Sequence, residues 1–401
     1  MLIVHKYGGT SVGDLDRIDH VAQRIAAAKK QGQDLIVVVS AMSGETNKFI
    51  EYAHHFSPNP SRREMDILLS SGERVTASLL AIALQEMGHS AVAMTGRQAG
   101  IRTDDTHMFA RIEEINTDAM RAHIDTGAII VVAGFQGIDG HGNVTTLGRG
   151  GSDLSAVAIA GAMGADACEI YSDVDGIYTT DPRIEPQARK LERISYDEML
   201  ELASLGAKVL QSRSVELAKK MGVTIVAKSS FSDNKGTIIT EEADEMEAVL
   251  VSGIALDKNQ ARVSLREVSD RPGVAAEIFS KLAEEQINVD MIIQNASTDD
   301  TTNLGFTVPQ SELEQARAVI ATFDHDIGGM DFDEQICKVS VVGVGMKSHS
   351  GVAAVAFEAM AENNINIEMI ATSEIKISMV IDAKFGELAV RVLHEAYALD
   401  R

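Results

Sequence analysis

The sequence predicts an α/β domain built on a mainly parallel sheet sandwiched by helices, followed by two ferredoxin-like βαββαβ modules. Three observations predict it. Over residues 1–230, apolar β-branched runs alternate with helical stretches, the pattern of a sheet covered on both faces. An acidic segment, TEEADEMEA at 240–248, then marks a change of character and reads as a solvated linker. Beyond it the chain repeats itself. GVAAEIFSKLAEEQINVDMI begins at Gly273 and GVAAVAFEAMAENNINIEMI at Gly351, 78 residues apart, with about half of the aligned positions identical. Such self-similarity marks a duplicated unit.

LIVHKY (2–7), DLIVVVSAM (34–42), AIIVVAGF (128–135), CEIYSD (168–173) and VTIVAKS (223–229) read as buried strands. LDRIDHVAQRIAAAKKQG (15–32) carries a helical period, and Gly32 makes a natural stop. SRREMDILLSSGERVTASLLAIALQEMG (61–88) is a second long helical region. Each tail copy reads as a strand (ARVSLREV, CKVSVVGV), a loop (SDRPG, KSHSG), a helix opened by Gly-Val and a strand (INVDMI, INIEMI). A second pair of elements completes each βαββαβ pattern. Neither copy holds an acid–base–nucleophile set, so the pair reads as ligand-binding modules. The expected boundaries are 1–245, 246–330 and 331–401, with room for strand exchange between the last two.

Composition narrows the function classes. The chain has 401 residues, 45% hydrophobic and 24% charged, ordinary globular material for two or three domains. A net charge of −23 argues against nucleic-acid or polybasic membrane-surface partners. Any anionic substrate must therefore be held by a local basic site against the global field. Cys168 and Cys337 match no zinc or redox spacing, which suits a reducing cytoplasm. MLIVHKYGG is too short in apolar residues for a signal peptide, and runs such as GAIIVVAGF suit buried strands rather than membrane spans. A cytoplasmic protein is expected.

Two glycine-rich stretches carry the chemistry. No GxxxxGK[ST] occurs, so a Walker loop is not available. KYGGTSVG (6–13) instead ends the first strand with a lysine and opens into a glycine loop. Such a loop reads either as a plain turn after a strand, or as a phosphate cradle that backbone N–H groups can line while Lys6 can bridge two oxygens. TLGRGGSDLSAVAIAGAM (146–163) places Arg149 among glycines at the mouth of an apolar helix. It reads either as a glycine turn whose Ser152 or Asp153 caps the helix, or as an anion site. Taken singly, Glu73 reads as a helix-face charge, Asp181-Pro182-Arg183 as a turn and Tyr178 as packing. His54-His55 reads as solvated surface, and the seventeen methionines as core filler. No persuasive Ser-His-Asp or Cys-His arrangement and no metal-ligand motif is present.

KYGGTSVG, VVSAMSGETN (38–47), SSGERV (70–75), TLGRGGSDLSA (146–156) and YSDVDGIYTTDPR (171–183) occur in this order, ahead of the duplicated tail. In this combination the sequence resembles the aspartate kinases of the amino-acid kinase family, with two ACT modules in the tail, over essentially the whole chain. The resemblance implies an amino-acid kinase fold and the reaction of ATP with L-aspartate to give 4-phospho-L-aspartate and ADP, the first step of lysine, threonine and methionine biosynthesis. It implies Lys6 at the transferring phosphoryl, with Asp153 orienting it, and Tyr7, Gly8 and Gly9 at the ATP phosphates. Ser40, Thr46, Glu73, Arg149, Gly150, Gly151 and Ser152 would line the aspartate site. Ser172, Asp173, Tyr178, Arg183 and Lys208 would hold the nucleotide. Mg²⁺ is implied by the ATP chemistry, being hard, well hydrated and often bound mainly to phosphates.

Physical chemistry fits these roles. A free aspartate side chain titrates near pH 3.9, so at neutral pH the nucleophile is ionised and needs no general base. The barrier is to bring one anion onto another and to stabilise the charge on the phosphoryl oxygens. Lysine, arginine, Mg²⁺ and backbone N–H groups do this.

For the tail, the resemblance implies effector contacts at Asp270, Asn288, Asp290 and Gln294 in the first copy. In the second they fall at Asn366, Ile367, Thr372, Ser373 and Glu374. Asn288 and Asn366 read equally as left-handed caps that end their helices. Lysine, threonine or both are the implied effectors, acting by feedback inhibition. A homo-oligomer through ACT pairing is expected, and Met246 is a candidate internal start for a separate regulatory subunit. Glutamate or acetylglutamate as substrate, or a catalytically silent amino-acid sensor, are the competing readings; the tandem tail and SDVDGIYTTDPR argue against the former, intact Lys6, Arg149 and Asp153 against the latter.

Overall fold

The computed structural model describes residues 1–204, 209–241, 251–295, 300–323, 326–346 and 351–401, so Lys208 and Met246 lie outside the described residues. The chain divides into two compact units. One comprises residues 1–177, 190–203 and 208–243; the other comprises 178–189, 204–207 and 244–401.

In the first unit the five expected runs form Leu2–Tyr7, Asp34–Val39, Ile129–Ala133, Ala167–Ser172 and Ile225–Ser229. They lie in one eight-stranded sheet together with Ala91–Met94, Arg193–Ser195 and Thr237–Thr240. Every pairing is parallel except that of Ile225–Ser229 with Thr237–Thr240. Successive side chains of a strand face opposite ways, and this decides what each end residue does. Ile3 and Tyr7 join Val37, Val39, Ile129 and Val131 in a core closed by Leu15–Lys30 and Ser71–Glu86. Lys6 points to the other face, toward Gly151–Met163, a helix whose residues are almost all buried.

The 61–88 region is two helices, Arg62–Leu69 and Ser71–Glu86, jointed at Ser70. Among the described residues, Arg62–Glu86 is long and apolar enough to cross a bilayer by length and composition, but half of its most apolar window is buried in the protein. The strands Ile101–Thr103, Ile112–Ile115, Gln136–Ile138 and Val144–Thr146 form a separate small sheet. Both cysteines are free and buried, and burial pushes their thiols up, Cys337 to about 12.

The second unit holds both repeats. In the first, Gln260–Ser269, Ile292–Gln294, Thr301–Pro309 and Ile327–Asp333 form an antiparallel sheet. Val274–Glu284 and Leu313–Ile320 supply its helices. The second repeat departs from the expected order. No strand follows its last helix, Gly386–Ala396; the edge of its sheet is Gly253–Asp257, from ahead of the first repeat. Residues 253–257 thus complete the second module, although the sequence boundary places them in the first. Residues 178–189 also belong to this unit, with Ile254 N–H donating to Thr179 O at 2.7 Å and Thr179 Oγ1 lying 2.9 Å from His394 Nε2.

The repeats meet through near-equivalent groups. Asp290 pairs with the buried Lys338 of the other repeat, and Glu368, the counterpart of Asp290, pairs with Arg262. Met291, Ile336, Met369 and Val380 form a small apolar cluster beside them. Asp290→Ala strands a buried ammonium. Because Asp290 is 37% exposed, the expected loss is about 1–3 kcal/mol, below that of a fully buried pair. Urea unfolding measures it.

Candidate active site

The parallel strands end together, and the loops at their carboxyl ends build the site, where α/β sheets place ligands. Lys6 Nζ lies 2.5 Å from Asp153 Oδ1, with 11% and 12% of the two side chains exposed. Oδ1 receives no hydrogen bond from a described residue, so charge rather than directed bonding holds the pair. Gly8 N–H donates to Tyr171 O at 3.1 Å. A Cβ at Gly8 would sit 3.4 Å from Lys6 Nζ, and one at Gly9 only 3.0 Å from Ala41 O. A bare backbone is what lets this loop fold beside the ammonium.

The helix that carries Asp153 begins at Gly151, and its N-cap is Gly150 at φ 73° with no side-chain cap. This corrects the capping alternative: neither Ser152 nor Asp153 caps the helix. The Asp153 carboxylate goes to Lys6 instead. The Ser152 hydroxyl packs beside Gly134, where a Cβ would come within 3.0 Å of it. In the first turn Gly151 N–H donates to Gly148 O at 3.0 Å and Asp153 N–H to Gly150 O at 3.1 Å, so Ser152 N–H is the one that suits an anion. Arg149, next to them, is exposed, and no described residue forms an ion pair with it.

Glu73, in the first turn of Ser71–Glu86, is 4% exposed. Its Oε1 accepts from Ala41 N–H at 3.1 Å, while Oε2 is buried with no partner. Burial pushes its carboxyl up to about 7, against the smaller opposing pull of backbone N–H groups and Arg74. Ser40 N–H donates to Tyr7 O at 3.1 Å, and Thr46 stands in the first turn of Glu45–Phe56, after Gly44 at φ 86°. On the opposite face, burial pushes His5 down to about 4 against the pull of Glu169, so it is neutral at pH 7.

The structure thus gathers Lys6, Gly8, Gly9 and Asp153, and links Glu73 to them through Ala41. Tyr7 departs from its expected place: its ring is fully buried and stacks on Tyr171 at 4.7 Å in the core, leaving only its backbone near the loop. Ser172 ends its strand with its hydroxyl 3.4 Å from Val174 O, and Asp173 is exposed beside it. Tyr178 and Arg183 belong to the second unit, where Arg183 forks onto Asp181 at 2.6–3.1 Å. His54 and His55 are exposed on a helix.

In the first repeat, Asp270 and Gln294 line a cleft of about 490 Å³ with Arg271, Gly273 and Thr302. Asn288 donates to Glu312 from its backbone at 2.7 Å and its side chain at 3.3 Å. The helix-ending residues at positive φ are Gln286 and Asn364, not Asn288 and Asn366. Asn366 and Ile367 precede the strand Met369–Thr372, Ser373 N–H donates to Lys376 O at 2.9 Å, and Glu374 is exposed in that turn.

Residues 1–228 match the amino acid kinase family, and residues 265–322 and 339–397 match an ACT domain. An aspartokinase of Helicobacter pylori is 56% identical over 405 residues, covering 100% of both chains. An aspartate kinase of Pseudomonas putida is 51% identical over 402 residues, covering 100% of this chain and 98% of that one. E. coli aspartokinase III in complex with aspartate and ADP superposes with a TM-score of 0.80 at 25% identity, covering 99% of each chain. The same enzyme in complex with lysine and aspartate gives 0.78, covering 98% of this chain and 99% of that one.

Proposed function

Since this chain belongs to the aspartokinases of the amino acid kinase family, phosphotransferases with a carboxyl acceptor, we propose how its residues divide the work between ATP and L-aspartate. Glu73 Oε2 takes the α-ammonium of aspartate, because a buried carboxylate oxygen without a partner calls for a cation. Arg149 and the Ser152 N–H take the α-carboxylate, with Gly150 and Gly151 letting the chain approach it and Ser40 and Thr46 closing the pocket. Lys6, Gly8 and Gly9 face the phosphates of ATP. Ser172 and Asp173, where the strand Ala167–Ser172 ends, hold the rest of the nucleotide. Residues 1–245 are the catalytic part and 246–401 the regulatory part.

The side chain of aspartate attacks as the carboxylate it already is, so this chain moves no proton. Lys6, held by Asp153, neutralises charge on the transferring group, and the fixed glycine backbone keeps the two anions in line. Among the described residues no group of three or more His, Cys, Asp or Glu side chains gathers to hold a metal. Mg²⁺ bound with ATP would supply further charge neutralisation at the phosphates. The observation that carries this reading is the buried Lys6–Asp153 pair beside an uncapped helix N-terminus.

The test is an ATP/Mg²⁺ assay with aspartate in which hydroxylamine traps the acyl phosphate, run with and without lysine and threonine. Hydroxamate is expected with aspartate and not with glutamate or acetylglutamate; its absence with all three acids would make the chain a silent sensor. Lysine, threonine or their mixture is expected to lower the rate through the ACT modules, as the lysine complex of the E. coli enzyme suggests. Unchanged rates with each of them overturn the feedback reading. The protein acts in the cytoplasm, at the head of lysine, threonine and methionine synthesis, as a homo-oligomer through its ACT modules. A shorter chain starting at Met246 in native extracts would mark a separate regulatory subunit.

A further inference from the structure

Asp66 is an acid the mechanism does not use, yet it is completely buried in the helix Arg62–Leu69. Its carboxylate is saturated with donors. Thr146 Oγ1 donates to Oδ1 at 2.5 Å, His107 Nδ1 lies 2.6 Å from Oδ2, and Met108 N–H reaches both oxygens at 3.0 and 3.2 Å. Burying an ionisable group costs stability unless each lone pair is met, and here the donors come from two separate segments, the end of the strand Val144–Thr146 and the loop of His107 and Met108.

Both segments lead to the proposed substrate pocket. Thr146 ends the strand from which Leu147, Gly148 and Arg149 continue. Met108 holds a left-handed φ of 73°, uncommon for a residue with a side chain, and its N–H bond to Asp66 offsets that strain. The same segment lies against Gly148, where a Cβ would meet Phe109 at 3.0 Å and Met108 O at 3.2 Å. Ala110 N–H donates to Thr146 O at 2.9 Å. From outside, Arg213 clasps the pair, donating to Leu147 O at 2.7 Å and Ala110 O at 3.3 Å.

The other end of Asp66 leads to Glu73. Its backbone oxygen accepts from Ser70 N–H at 3.0 Å, at the joint where the Glu73 helix begins. Gln136, paired in register with Thr146, donates to Ser70 O at 2.9 Å and accepts from Arg74 at 3.3 Å. One buried carboxylate thus ties the helix of Glu73 to the loop of Arg149.

We propose that Asp66 is a positioning residue that sets the spacing between Glu73 and Arg149, and thereby the affinity for aspartate and the discrimination against an acidic amino acid one methylene longer. This rests on the reading that Glu73 and Arg149 hold the two ends of the amino acid. A displacement near 1 Å at such a clamp costs about 10²-fold, and one methylene is worth about 10–200-fold in discrimination.

Asp66→Asn and Thr146→Val in the full-length enzyme test it, with KM for aspartate, KM for ATP, kcat/KM for aspartate and glutamate, and thermal melting measured together. The expected result is a rise of about tenfold or more in the aspartate KM, an ATP KM within about twofold of the parent, and an aspartate-to-glutamate ratio lowered about fivefold or more. Equal shifts in both KM values, or an unchanged ratio in a folded variant, overturn the proposal. If Asp66→Asn fails to fold, Thr146→Val removes one of the bonds and decides by the same criteria. Arg149→Ala and Glu73→Gln run in parallel. If they leave the aspartate KM unchanged, the pocket reading itself fails; if they raise it while the Asp66 and Thr146 variants do not, the positioning role alone fails.

Discussion

Replacing Lys6 with alanine is expected to lower kcat by about 10²–10³-fold or more, the scale of removing one preorganised charge-stabilising donor. Lys6 is the cation that the sheet itself holds at the site, fixed in register between Val38 and Ile170. Arginine is not expected to rescue it, because a planar fork does not replace a compact ammonium. The same substitution also removes the partner of Asp153, which is nine-tenths buried. Breaking a buried pair from one side costs about 3–5 kcal/mol. The two effects separate in a double variant. Lys6→Met with Asp153→Leu is expected to recover much of the stability and none of the activity, read by urea unfolding and single-turnover ADP release. A folded Lys6→Ala enzyme with parental kcat would remove Lys6 from the chemistry.

For Glu73, a pH profile gives the second large effect. Burial raises its carboxyl to about 7, while accepting the ammonium of aspartate requires the ionised form. In the parent, kcat/KM for aspartate is therefore expected to fall about tenfold per pH unit below about 7 and to level off above it. Glu73→Gln is expected to raise the aspartate KM by about 10²-fold, the scale of a lost charged contact, and to flatten this limb. Stability moves the opposite way. A carboxyl raised in the fold keeps its full contribution below its unfolded value near 4.5 and loses it as pH rises through about 7. The substrate-free parent should thus be less stable at pH 8 than Glu73→Gln, by roughly 3 kcal/mol. Saturating aspartate should narrow that gap. Melting curves at pH 5 and pH 8, with and without aspartate, read both effects; equal stabilities at pH 8 would show Glu73 to be solvated.

The five long apolar runs were legible as strands because burial on both faces leaves little room for polar residues. The duplicated helices opened by Gly273 and Gly351 were legible for a related reason: each must bury the same face against its own sheet. Short strands such as Gln136–Ile138 and Val144–Thr146 are too brief to show a period. The edge strand of the second repeat was hidden because Gly253–Asp257 lies on the far side of the first repeat in the sequence. Asp66 reads as an ordinary helix charge in RREMDILL, since its partners stand 41 and 80 residues away.

At the site the division has the same cause. The linear order of residues marked the glycine loops, Lys6, Arg149 and Asp153, because close backbone approach to an anion demands glycine and a nearby cation whatever surrounds them. Folding settled what each neighbour does: strand alternation sent Lys6 to the pocket and turned the Tyr7 ring into the core, Asp153 became the partner of Lys6 rather than a cap, and one oxygen of Glu73 was buried without a donor. Side-chain direction and desolvation depend on contacts between segments far apart in the chain, and no local run of residues encodes them.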